Sequence, residues 1–276
     1  MKSLITLIII SLLTAACKDN NKIDNNLTGL QSYYKGLNYY YGIDCRVNKK
    51  IALEYFKQSV LKGAKIAKPY VTNIYVLGEN VDKNMKEALK WERKETTNSL
   101  STQQESEAFN YLFSIAKNNN DEAYVMVAES YYQGWGTPKD YKKAFYYFEK
   151  MAIKDYPMAQ SRLGRMYGYG KGVKKDLTKA IYWTTKAAEN ELPYDQFILG
   201  KHYKHKKEYK KAFVWFLKSA EQDFPNGQYA VGYHYFMGRG VLSDKKKSAY
   251  WIKKAYNNGS TEAKDFWENN ELWKYE

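Results

Sequence analysis

Three histidines, two cysteines and a few glycine-flanked basic residues are the side chains of this 276-residue chain that could catalyse, bind a metal or hold an anion. His202 and His234 each precede a tyrosine, Tyr203 and Tyr235, in segments of like pattern, and His205 stands one helical turn after His202. Imidazoles on adjacent helices would sit about 8–10 Å apart by ordinary helix packing. That is wide for a shared zinc, and no carboxylate or cysteine recurs at ligand spacing. Gly170-Lys171-Gly172 and Gly238-Arg239-Gly240 could cradle a phosphate on backbone N–H groups, but no strand precedes them and no Lys-Ser/Thr follows, so they read as turns. Gly-x-Ser-x-Gly and His-Glu-x-x-His do not occur. The expectation is a chain with no catalytic residue, no metal site and no cofactor.

The elements that would carry these residues repeat. An alanine opens each of seven similar segments, at Ala52, Ala88, Ala108, Ala144, Ala180, Ala212 and Ala249, with steps of 36, 20, 36, 36, 32 and 37 residues. An aromatic follows three residues later in six copies (Tyr55, Trp91, Tyr111, Tyr147, Trp183, Trp215), and Ile252 takes that place in the seventh. A period near 36 means stacked helix pairs, a solenoid whose units contact their neighbours. The spacing Ala180, Trp183, Thr184, Ala187, Ala188 gives the second helix of a pair an apolar stripe, with Trp183 and Trp215 expected in the core.

Upstream lies the first helix, marked by a small residue and a tyrosine three places on: Gly36 and Tyr39, Thr72 and Tyr75, Ala128 and Tyr131, Gly164 and Tyr167, Gly200 and Tyr203, Gly232 and Tyr235. The small residue admits a neighbouring helix while the ring fills the space beside it. Gly42, Gly78, Gly134, Gly170 and Gly238 are placed to end these helices with a left-handed cap. Asn48, Asn84, Asp140 and Asp176 are placed to start the second helices through a side-chain oxygen.

The run from Gly170 to Trp183, Gly-Lys-Gly-Val-Lys-Lys-Asp-Leu-Thr-Lys-Ala-Ile-Tyr-Trp, closing with Lys186-Ala187-Ala188, resembles the Sel-1-like repeat, a relative of the tetratricopeptide repeat. The resemblance spans residues 31 to 260 and implies an all-α, α/α superhelical solenoid that binds proteins and has no enzymatic activity of its own. Two segments depart from it. Lys204-His205-Lys206-Lys207 replaces the Gly-x-Gly-Val loop, which implies a tighter turn, and only 20 residues separate Ala88 from Ala108, too few for a pair. An extra helix near Glu105 to Lys117 is expected there, with Asn118-Asn119-Asn120 dividing divergent repeats (31–120) from regular repeats and a capping helix (121–276).

Residues 1–16 read as an export signal: Lys2, an apolar run from Leu4 to Leu13, then Thr14-Ala15-Ala16. The run is shorter than the roughly 20 residues that span a bilayer. Small residues before Cys17 resemble the bacterial lipoprotein cleavage site, which implies a lipid on Cys17; Leu13 stands four rather than three before the cysteine, so cleavage by an ordinary signal peptidase is the alternative. Lys18 after the cysteine resembles the pattern of proteins sorted to the outer membrane, facing the periplasm. Residues 17–30 form the lipidated cysteine and a polar tether, whose eleven residues Lys18 to Thr28 could reach about 35–40 Å. With Cys17 acylated, Cys45 is left without a disulfide partner in the chain.

The net charge is +14. An exported chain without a nucleic-acid motif points that charge toward an acidic protein or a phosphate-rich membrane surface. The two residues before each repeat tyrosine can face the inner wall of a superhelix, and in the most regular repeats they are Arg165 and Met166, Lys201 and His202, Tyr233 and His234. This basic and aromatic ladder is the expected protein-binding site. Resemblance to exported Sel-1-like lipoproteins implies two jobs: an immunity protein that neutralises a periplasm-acting toxin, such as a type VI secretion phospholipase effector, or a scaffold for envelope or exopolysaccharide assembly; the rival of a different class is an envelope hydrolase, against which the missing catalytic motif stands. Strong positive charge favours the inhibitor, because charge complementarity speeds capture of an acidic toxin.

Overall fold

The computed structural model describes residues 23–43, 45–95, 100–118 and 120–276. The export segment and Cys17 lie outside the described residues. Among the described residues there are fourteen α-helices and no strand. They are α1 (Gly29–Tyr41), α2 (Lys49–Leu61), α3 (Lys68–Leu77), α4 (Met85–Arg93), α5 (Thr102–Lys117), α6 (Asp121–Gln133) and α7 (Tyr141–Ile153). After these come α8 (Pro157–Tyr169), α9 (Leu177–Glu189), α10 (Pro193–His205), α11 (Tyr209–Glu221), α12 (Pro225–Met237), α13 (Lys245–Asn257) and α14 (Thr261–Asn269). Two compact units divide between Tyr147 and Phe148, inside α7 and later than the asparagine run at 118–120. Stacked repeats of one composition leave no mark in the sequence at such a division.

The helix boundaries follow from the caps. Gly42, Gly78, Gly134, Gly170 and Gly238 take φ between 64° and 79° and donate N–H to the carbonyl four residues back, a conformation that would strain any side chain. Asn48, Asn84, Asp140, Asp176 and Asp244 accept from the N–H three residues on at 2.9–3.1 Å. Between α10 and α11 the turn is cut to Lys206, Lys207 and Glu208, with Lys207 itself left-handed at φ 62°, the tighter turn expected there.

Inside a pair, the small residue of the first helix meets one side chain of the second. A Cβ on Gly36 would lie 2.6 Å from the Phe56 ring, on Gly164 2.8 Å from Thr184 Oγ1, on Gly200 2.6 Å from the Phe216 ring and on Gly232 2.7 Å from Ile252 Cδ1. The facing residue is therefore four after Ala52, Ala180 and Ala212, and four before Ile252 stands Ser248, which is fully buried. The seventh copy is thus set on Ser248, not Ala249, and its aromatic is Trp251, not Ile252. Trp183 and Trp215 are half-buried rather than core. The residue four after the alanine fills the pair, so the ring three after it is turned about 100° toward the flank.

A second motif locks the last four pairs. Lys143, Lys179, Lys211 and Lys247 hold Nζ 5.2, 5.2, 5.5 and 5.5 Å from the centroids of the repeat tyrosines Tyr131, Tyr167, Tyr203 and Tyr235. The acid opening the same second helix pairs with that lysine at Asp140 (3.7 Å), Glu208 (2.6 Å) and Asp244 (3.8 Å). Many lysines that composition alone assigns to solvent are therefore part of the repeat.

Successive pairs of the second unit are joined by buried amides. Gln160, Gln196 and Gln228 donate Nε2 to the carbonyls of Ala152, Ala188 and Ala220 at 3.2–3.3 Å. Their Oε1 atoms accept from Asn190, Gln222 and Asn258 at 2.9–3.0 Å. Each amide adds a second donor to a carbonyl at the end of the preceding helix, which also accepts the backbone N–H of Asp155, Glu191 or Asp223 at 3.0–3.1 Å.

In the first unit, α5 is the expected extra helix. It packs on α1, with the Tyr111 hydroxyl donating to Asn38 Oδ1 at 2.7 Å and the Tyr34 and Tyr111 rings edge to face at 4.7 Å. The last residues of the expected tether, from Asp24 on, are packed on the repeats. Gln58 Nε2 donates to the Asp24 carbonyl at 3.0 Å, Lys62 Nζ donates to the carbonyls of Asn25 and Leu27, and Thr28 caps α1. Polar backbone is held there by side chains of α2, so the chain is fixed from Asp24 onward.

Candidate functional site

The expected ladder separates by position along α8, α10 and α12. Two residues before the repeat tyrosine the wall is accessible: Lys201 is exposed, and Arg165 and Tyr233 are half-buried. Directly before the tyrosine it is not. Met166 is 1% exposed and His234 0%, with only His202 half-buried. The His234 ring lies against Tyr209, Phe213 and Phe216 of α11, at centroid distances of 6.4, 6.3 and 5.1 Å. One residue of helical rotation turns this position into the contact with the preceding pair. Met166 and His234 are therefore packing residues, a correction to the expected site.

His234 instead positions the wall. Its Nδ1 is 2.7 Å from the Arg239 carbonyl, and since a carbonyl only accepts, Nδ1 carries the proton. Burial lowers its pKa and keeps the ring neutral. This bond fixes the Gly238–Gly240 turn, and a Cβ on Gly240 would overlap the Tyr209 carbonyl, so glycine lets the turn rest on the start of α11. Arg239 is thereby held with its guanidinium carbon 5.6 Å from both the Tyr209 and Tyr233 ring centroids. Lys204 Nζ lies 5.5 Å from Tyr233, a contact between two first helices, α10 and α12.

The same chemistry recurs along the wall. The Arg165 guanidinium carbon lies 5.3 Å from the Tyr194 ring and Lys201 Nζ 5.6 Å from Phe197. Cations held over ring faces are pre-ordered, and their outward N–H groups remain able to meet carboxylates. Helical spacing missed Lys204, Tyr209 and Tyr194, while Arg239 stands in the Gly-Arg-Gly inter-helix loop, which with the loop around Trp135 is the alternative place for the site in the sequence.

Beside Tyr194 lies the buried Asp195. Desolvation raises its carboxyl from 3.8 to about 7, opposed by a hydrogen bond to Ser161 and by the charges of Arg165 and Arg162. Its Oδ2 has no hydrogen-bond partner. His202 is pushed down by burial and by Lys206. Among the described residues no group of three or more His, Cys, Asp or Glu is placed to hold a metal ion.

The repeat decides the family. Sel1 repeats match residues 33–63, 73–94, 121–156, 157–192, 197–224 and 225–260, well over half of the chain. The chain belongs to the Sel1 repeat family. Six Sel1 repeats are matched, and Ala108 lies outside every match in α5, the expected extra helix. A Sel1 repeat protein from Oxalobacter formigenes is similar in structure with a TM-score of 0.58 at 24% identity, over 87% of this chain and 76% of that one. The protective antigen c5321 of uropathogenic Escherichia coli, which displays an SLR fold, aligns with a TM-score of 0.53 at 24% identity, over 85% of this chain and 55% of the antigen. Both likenesses establish the fold. Immunity protein Pa5087 from Pseudomonas aeruginosa aligns at 16% identity over 81% of this chain and 82% of its own, with a TM-score of 0.38, too low to bear on function. No curated protein matches in sequence. Sel1 repeats form a protein-binding fold. Among the described residues no helix is long and apolar enough to cross a membrane.

Proposed function

We propose that this Sel1 protein is an exported, lipid-anchored and non-enzymatic binding protein that captures an acidic protein on the first-helix wall of its second unit, as an immunity protein against a toxin acting in the periplasm. The observation that carries this reading is Arg239, held between Tyr209 and Tyr233 with Lys204 on the same ring. Fixed cations beside rigid aromatic area suit a tight site for carboxylates, and positive charge accelerates the encounter. Cys17 and the small residues before it support a lipid anchor.

Two experiments test this. If a secreted toxin is encoded beside its gene, the protein expressed in the periplasm should protect cells from that toxin and co-purify with it; unprotected cells and no complex refute the immunity role, and polysaccharide export genes in that place favour a scaffold. Cys17→Ser should release the chain from the membrane fraction. Identical partitioning of variant and parent refutes the anchor.

A further inference from the structure

The second helices of the last three pairs carry a pattern that protein capture on the first helices does not use. Two residues after the repeat position, which holds Ala180, Ala212 and Ser248, stand Tyr182, Val214 and Tyr250, exposed by 54, 52 and 60%. Each is followed by a half-buried tryptophan, Trp183, Trp215 and Trp251, and one turn on by Lys186, Lys218 and Lys254. The rings stand edge to face at 5.0 Å for Tyr182 and Trp183 and 5.3 Å for Tyr250 and Trp251. Lys218 Nζ lies 4.4 Å from the Trp215 ring and Lys254 Nζ 5.4 Å from Trp251. Lys210 and Lys246, one turn earlier, are exposed. Glu189 reaches Lys186 at 3.9 Å and Asp223 reaches Lys254 at 2.8 Å, whereas Lys210, Lys218 and Lys246 pair with no carboxylate among the described residues.

Because the three helices present the same position in successive pairs, these side chains form one row. We propose that this row is a membrane-contact face, which lays the second unit on a bilayer rich in anionic phospholipid. Tyrosine and tryptophan are the residues that settle at the headgroup level, with an apolar ring and a polar edge. Lysine stems lie along the rings while the ammonium groups reach phosphates. A second copy of the chain is a poor occupant, since it would set lysine rows against each other. The contact uses second helices and leaves Arg165, Lys201, Tyr233 and Arg239 on the first helices free for a protein. It rests on the proposed membrane tether only for how the chain reaches the bilayer.

The test uses the full chain with Cys17→Ser and vesicles of equal parts phosphatidylcholine and phosphatidylglycerol carrying brominated acyl chains. The apolar run Leu4–Leu13 holds no tryptophan, so its insertion cannot by itself produce quenching. Tryptophan fluorescence should be quenched on these vesicles, and less so on pure phosphatidylcholine. Tyr182→Ser with Val214→Ser and Tyr250→Ser, three exposed sites that leave the core intact, should raise the lipid concentration at half-maximal quenching at least about tenfold, the loss of roughly one weak apolar contact set. The first-helix variant Arg165→Glu, Lys201→Glu, Tyr233→Ala should be quenched like the parent. No quenching of the parent, or quenching that survives the row variant, would overturn the proposal while leaving protein capture and the lipid anchor to their own tests.

Discussion

Gly232 faces Ile252 so closely that a Cβ on the glycine would lie 2.7 Å from Ile252 Cδ1, and Gly200 stands to the Phe216 ring in the same way at 2.6 Å. This contact sets both the distance within a pair and the register of the repeat. Gly200→Ala or Gly232→Ala should cost about 1–3 kcal/mol, because the added methyl forces the helices apart or the facing side chain out of its rotamer. Urea unfolding measures it. A loss below about 0.5 kcal/mol would mean that the pairs separate without strain.

The same geometry ranks two neighbouring rings. Phe216 is buried in the pair and Trp215 lies on its flank. Phe216→Ala should cost about 3–5 kcal/mol and Trp215→Ala about 1–2 kcal/mol, although tryptophan is the larger side chain. Equal losses would return Trp215 to the core.

Most of the fold could be read from the chain because the caps are local. Gly170 must end α8 and Asp176 can start α9 whatever surrounds them, so helix pairs and turn lengths follow from residue types. What failed was a choice among adjacent residues that only packing makes. Ala249 and Ser248 are both small, and only Gly232 against Ile252 selects Ser248. Met166 and His234 lie one residue from the accessible positions, and a 100° rotation decides between solvent and core. The Gln160, Gln196 and Gln228 ladder escaped notice since a polar residue repeating at helix starts resembles ordinary surface. Arg239 reaches its rings through a turn, whose course no helical periodicity describes.

Asp195 should make stability fall as pH rises. Its folded carboxyl titrates near 7 against 3.8 in the unfolded chain. The folded state therefore binds the proton more tightly, so this contribution is complete below about pH 4, declines up to about pH 7 and is flat above, by at most about 4 kcal/mol at 1.4 kcal/mol per pH unit. Asp195→Asn keeps the shape without the charge. Urea unfolding at pH 5 and pH 8 should show a smaller pH difference in the variant and a more stable variant at pH 8. Equal differences in both proteins would show that the Asp195 carboxyl is not held protonated.

Protein capture on the first-helix wall is tested most directly by the affinity of the purified chain for the acidic protein that co-purifies with it, measured by titration calorimetry against the variant Arg165→Glu, Lys201→Glu, Tyr233→Ala. The variant changes two cations and one ring on three helices, all outside the buried contacts of the pairs, and should keep its helical circular dichroism. Its affinity should fall at least about tenfold, a loss of 1.4 kcal/mol or more, and the association rate of the parent should drop with added salt. Unchanged affinity in the folded variant would contradict the assignment of the partner to this wall.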